Sequence, residues 1–211
     1  MLKDIKLGFK LLKYGYKLKL NVIMLVFFAI FGIASEIFSK GTSIIGGVYF
    51  MMSGMFTFQL IMSMDVSELI QSTSLKKKLQ IYIPVLASTV INLIIFTIFV
   101  VERVVLIQMG VADKTQIIYT LFMLDVILLI TYLYTSICYK YFVLGFILFM
   151  VMFMAAFMAL DNSAFMGFAD TIAALGLPVI ALFGYIAIFV GGALEILIGE
   201  LLYKKPLSEF A

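Results

Sequence analysis

The stretch IYIPVLASTVINLIIFTIFVVER, residues 81–103, decides the fold. From Ile81 to Val101 it holds no charged side chain, and then Glu102 and Arg103 arrive together. A helix needs about 20 mainly apolar residues to cross the hydrocarbon of a bilayer. Lipid cannot hydrogen-bond an open backbone, so a spanning segment of this kind is helical. The same signature recurs on both sides of it. Spans are expected from Val22 to Phe38, Ser43 to Met64, Ile81 to Val101 (continuing as helix to about Gln108), Gln116 to Ile137, Tyr141 to Leu160 and Val179 to Leu202.

The composition agrees. Of 211 residues, 64% are hydrophobic and 13% charged, with a mean hydropathy of +1.19. Soluble domains average roughly 45–50% apolar and about 25% charged. One core of this size could not hide so much apolar surface from water, and a disordered chain would be polar. The fold class expected is therefore all-α and polytopic: one six-helix transmembrane domain over residues 21–211, preceded by an amphipathic segment over 1–20.

Before the last span, Leu175-Gly176-Leu177-Pro178 interrupts an apolar run too long for one perpendicular helix. Proline removes a donor and restricts the residue before it. A short half-buried helical segment is expected from Thr171, re-entrant in character, with the sixth span starting at Val179. Residues 161–170 read as an outer loop.

Six spans put both termini on one side, and the lysines say which. Twelve of the fifteen basic residues fall on one face, and only Lys40, Arg103 and Lys114 on the other. By the positive-inside rule the richer face is cytoplasmic, as in a multi-pass protein of the plasma membrane with both ends inside. Leu2, Ile5, Phe9, Leu12 and Tyr16 make one apolar stripe in the first twenty residues. Lys3, Lys6, Lys10, Lys13 and Lys17 follow one position later, which suits a helix lying in the inner interface of the bilayer.

Several chemistries are removed by what the sequence lacks. With no histidine and one cysteine, Cys138, neither a Ser-His-Asp triad nor a Cys/His metal site can form, and no metal or resident cofactor is expected. No Gly-Lys pair occurs, so the chain carries no P-loop. Nothing resembles a nucleic-acid motif. An enzyme of these kinds is not expected.

Ionisable side chains inside a span are costly and are candidate functional residues. Asp125 falls near the middle of span four, Asn92 at similar depth on span three, and Glu195 in the inner third of span six. Glycines Gly191, Gly192 and Gly199 share the face of Glu195, so that face is expected to meet another helix. Gly47 and Gly54 mark a second close-packing face, Ala155 and Ala159 a third. Glu36, Glu102 and Arg103 lie near the outer boundary, where exposed charge is inexpensive, and receive no role.

One polar segment follows span two: residues 65–80, DVSELIQSTSLKKKLQ, acidic early and basic late. The order of pieces resembles the membrane subunit of ATP-binding-cassette exporters of the type-2 permease superfamily. In that family the loop after span two is a coupling helix, commonly Glu-Leu-Leu-x-Ser-x-Pro, then a small polar residue and a basic pair. Glu68, Leu69, Ile70 and Ser72 match, and Lys77 and Lys78 fall on the basic pair. Ser74 stands at the usual proline and Lys76 at the usual Ser or Thr. The ending Glu200-Leu-Leu-Tyr-Lys-Lys205 also looks like the family's exit from span six.

The resemblance implies a permease subunit exporting a hydrophobic or amphipathic substrate, such as a peptide, lipid or drug. It implies a second permease copy or homologue as partner, with cassette ATPase subunits that bind ATP and magnesium docking on Glu68, Leu69, Ser72, Lys76, Lys77 and Lys78. The competing expectation is the substrate-binding subunit of an energy-coupling-factor-type vitamin importer, which would need neither the basic N-terminal helix nor the Glu-to-Lys loop.

Overall fold

The computed structural model describes residues 18–49, 51–52, 77–138, 141, 144, 147–152, 154–155 and 166–203. Among them the regular structure is helical throughout, without a strand. Five helices carry the architecture: α1 (Leu18–Ser39), α2 (Ile83–Met109), α3 (Lys114–Cys138), α4 (Met166–Leu175) and α5 (Leu177–Tyr203). Four stretches are long and apolar enough to cross a membrane, Lys19–Ser39, Ile83–Met109, Lys114–Ile137 and Leu177–Tyr203. These carry the first, third, fourth and sixth expected spans, so the chain is a membrane protein in its helices. Spans two and five lie largely outside the described residues, as do Gly54, Ala159, the N-terminal stretch 1–17 and residues 65–76.

The helices differ in what they touch. Within its apolar window α3 is 78% buried, whereas α1 is 11% buried. A helix apolar all round belongs in the middle of a bundle, and α3 sits there against α2, α4 and α5. Its core face carries Ile118, Leu121, Leu124 and Ile127, clustered with Phe96 and Phe99 of α2 and Ile180 and Ile188 of α5. Its hydroxyls bond back to its own carbonyls, among them Thr131 to Ile127 at 2.9 Å and Ser136 to Tyr132 at 2.6 Å. Such local bonds satisfy polar side chains where no water reaches.

Helix directions follow from the glycine contacts. Gly184 and Gly191 of α5 face Asp125 and Tyr132 of α3, so these two helices run parallel in register. Gly184, Gly192 and Gly199 face Phe96, Thr89 and Ile81, so α2 runs antiparallel to both. The expected close-packing role of small residues is realised here. Gly47 plays the same part, seated on Leu124.

Three expectations about the chain's breaks are corrected. The interruption before the last span is confined to Gly176, left-handed at φ +83°. Helix α5 begins at Leu177, not Val179, and Pro178 lies in its first turn, where the missing N–H has no intrahelical partner to lose. The preceding segment α4 starts at Met166 rather than Thr171, so residues 166–170 are helix and not loop. Phe168 packs edge-on against Phe122 of α3 and Ile172 is buried. That contact overrides the polar look of the local sequence. The third correction concerns Glu36 and Arg103.

Candidate functional site

Arg103, expected on the surface, is fully buried, and so is Glu36. Their side chains pair at 3.0 Å, with exposures of 0% and 5%, and Glu102 stands 3.9 Å from the other Arg103 nitrogen. The turn after α1 closes over the pair. Lys40 and Gly41 both take positive φ, 52° and 73°, which swings Gly41 onto the guanidinium so closely that a Cβ there would stand 1.9 Å from Arg103 Nη1. Thr120 donates to the Gly41 carbonyl at 3.1 Å, and Gln116 to that of Thr42 at 3.3 Å. Arg103 Nε and Nη1 and Glu36 Oε1 make no hydrogen bond. Sequence reasoning missed this pair because Glu36 and Arg103 lie on different spans; the only available signal was that Arg103 is the sole arginine.

Deeper along the seam of α2, α3 and α5 lies Asp125, 4% exposed, with neither carboxyl oxygen hydrogen-bonded. Gly184 opposite leaves room for it: a Cβ there would stand 2.4 Å from Asp125 Oδ1 and 2.0 Å from Phe96 Cζ. Phe96 stacks edge-on with Tyr185, whose hydroxyl shares a 3.1 Å hydrogen bond with Thr97.

Further along, Tyr132 fits its ring against Gly191 and points its hydroxyl toward Thr89, Asn92 and Glu195. Asn92 is buried as part of this group. Glu195 is 2% exposed, faces the Thr135 hydroxyl, and likewise has neither oxygen hydrogen-bonded. In the parallel register Glu195 stands beside Ser136, eleven residues from Asp125, or about 16 Å along the axis at 1.5 Å per residue. The two carboxyls therefore do not form a catalytic dyad. Asn92 and Glu195 both lie near the Tyr132 hydroxyl, which makes no hydrogen bond, and Asp125 stands apart from them.

At the far end, Lys77 pairs with Glu200 of α5 at 2.9 Å, and the Tyr82 hydroxyl donates to the same oxygen. The bond to Glu200 holds the Lys77 ammonium above the ordinary lysine range. Lys77 is the first described residue after the 65–76 stretch, so Glu68, Leu69, Ser72 and Lys76 lie outside the described residues. A five-residue π-helical turn, Lys78–Tyr82, joins it to α2.

A buried carboxylate without a partner is expensive in this environment. A proton, a cation or a donor brought by a substrate would complete Asp125 and Glu195. Among the described residues no three His, Cys, Asp or Glu side chains gather as a metal site. Compared with known proteins, the chain matches no family model, no curated protein and no solved structure.

Proposed function

We propose that the chain is the membrane subunit of an ATP-driven exporter, its energy supplied by separate cassette ATPases docking on residues 65–80. The observation that carries this reading is the Lys77–Glu200–Tyr82 contact. A docking loop does work only if it is tied to the helices that must move, and this contact ties its last residues to α5. Five residues along α5 from Glu200 lies Glu195, in the seam with Tyr132 and Asn92, so motion at the loop would reach the buried polar group directly. Substrate passing the seam would meet Asp125 and Glu195, two carboxyls with no hydrogen-bond partner.

Six spans with both ends in the cytoplasm belong to the same proposal, and the helix directions support them. The Glu36 contact puts the end of α1 beside Arg103, while α2 starts at the Lys77 end. Likewise α3 finishes where α5 finishes. Residues 43–64 and 141–160 supply the two returning spans in this reading, and α4 would be the re-entrant element before the last.

Copurification tests it. The full chain in detergent should bring down a cassette ATPase whose hydrolysis rises with an amphipathic substrate, and reversing Lys76, Lys77 and Lys78 to Glu should abolish that capture. If no cassette ATPase binds the unaltered chain, the reading fails.

A further inference from the structure

Asp125 and Glu195 are both buried carboxyls without a hydrogen-bond partner, yet their surroundings differ in kind. Asp125 looks onto Gly184 and the ring of Phe96. Glu195 looks onto oxygen. The Thr135 hydroxyl faces it, and the buried Tyr132 hydroxyl lies near it, together with Asn92 and Thr89. Three helices contribute: α2 gives Thr89 and Asn92, α3 gives Tyr132 and Thr135, and α5 gives Glu195. Two glycines let them meet. An added Cβ on Gly191 would stand 2.5 Å from the Tyr132 ring, and one on Gly192 would stand 2.8 Å from the Thr89 hydroxyl.

The protons here do not balance the oxygens. Thr135 donates to the carbonyls of Tyr132 and Thr131, at 3.0 and 3.1 Å, so it turns a lone pair toward Glu195. Glu195 Oε1, Glu195 Oε2 and Tyr132 Oη make no hydrogen bond. A proton on Glu195 would make one bond and leave the other buried oxygens unmatched. A cation is held by several oxygens at once. One carboxylate with hydroxyl and amide oxygens balances a single positive charge, whereas a divalent ion would leave net charge where no water solvates it. These are hard donors, without the thiolate or imidazole that suits a transition metal. The close approach at Gly191 and Gly192 favours the smaller of the common alkali ions. We propose that Glu195, Tyr132, Thr135 and Asn92 bind one sodium ion between α2, α3 and α5. Its route is short, since five residues, about 7.5 Å of helix, separate Glu195 from the part-exposed Glu200. The site goes beyond the transport reading and requires no cassette ATPase.

Sodium itself is the probe. The full chain in detergent, dialysed against radioactive sodium with choline chloride holding the ionic strength, should bind one ion per chain, displaced by unlabelled sodium. Glu195→Gln should abolish this binding, and Asp125→Asn, about 16 Å away along the axis, should keep it. Tyr132→Phe deletes an oxygen that no hydrogen bond uses. It should weaken binding roughly tenfold or more, as losing a partner to a charged group does, and it decides the matter if Glu195→Gln does not fold. Unfolding curves are a second readout. Sodium at ten times its dissociation constant should raise the midpoint of the unaltered chain by roughly 3–6 °C over choline, and leave that of Glu195→Gln where it was. No saturable sodium binding by the unaltered chain, binding that survives Glu195→Gln, or undiminished binding in Tyr132→Phe would overturn the proposal. The first of these is the result that a merely protonated Glu195 gives.

Discussion

Arg103 carries five N–H donors in a site with no access to water, and among the described residues Glu36 is the acid that accepts from it. Removing one member of a buried pair strands the other's charge, which costs about 3–5 kcal/mol, whereas replacing both by apolar residues of similar size is often neutral. Arg103→Met should therefore lower stability by that amount in detergent, and Glu36→Leu with Arg103→Met should recover most of it; unfolding curves of the two variants check this. Asp125 should behave in the opposite sense. With no hydrogen-bond partner in the seam, its carboxyl gains nothing to offset its burial, so Asp125→Leu should raise the unfolding temperature while, under the proposed function, reducing substrate-stimulated ATPase activity in the copurified assembly. A variant that is less stable yet leaves that ATPase stimulation unchanged would make Asp125 structural. Gly184→Ala drives a methyl into Phe96 and Asp125, and Phe96 is fully buried and has nowhere to swing. Overpacking of this kind costs about 1–3 kcal/mol, again read from unfolding curves.

Between α4 and α5 the chain turns on one residue. At Gly176 the constraint is φ +83° and not space, since the nearest contact of an added Cβ is Pro178 Cδ at 3.8 Å. Gly176→Ala should cost about 1–2 kcal/mol, the usual penalty for a left-handed L-residue. Gly167→Ala, in α4 with nothing within 4 Å of the added Cβ, should gain the few tenths to about 1 kcal/mol typical of Gly to Ala in a helix. Comparing the two by thermal unfolding separates conformation from helix propensity. At the other end of α5, Lys77→Glu should expose the lysine segment to trypsin several times faster, and Glu200→Lys in the same chain should restore protection. The clamp depends on a charged Lys77 whose pKa is raised above 10.5. It is therefore complete at neutral pH and dissolves only as the pH climbs through that raised value, so wild-type protection should vanish in strong alkali and not in mild acid.

Across the whole molecule, the helices that cross the bilayer were legible because uninterrupted apolar length is a one-dimensional signal. Gly191, Gly192 and Gly199 also announced a helix contact, because small residues spaced along one face permit close approach. What stayed hidden was pairing. Nothing local distinguishes an Arg103 that marks a membrane boundary from one buried against a glutamate two spans earlier, and the turn at Gly41 that covers it is visible only when α1 and α2 stand side by side. The first half of α4, before Thr171, was hidden for the same reason, since Phe122 and not its own sequence holds Phe168. Sidedness has its own test: in a Cys138→Ser background, Lys40→Cys and Asp113→Cys should react with an impermeant maleimide from one side of sealed vesicles, and Lys19→Cys from the other. Gly176 finally sets how the bundle can deform. A hydrogen bond enters it from one helix and leaves it to the other, Gly176 to Ala173 at 3.1 Å and Ile180 to Gly176 at 3.3 Å. The joint has no slack, so α5 cannot slide along its axis unless α4 is dragged with it across the surface of α3; tilting about that swivel is the freedom left to it.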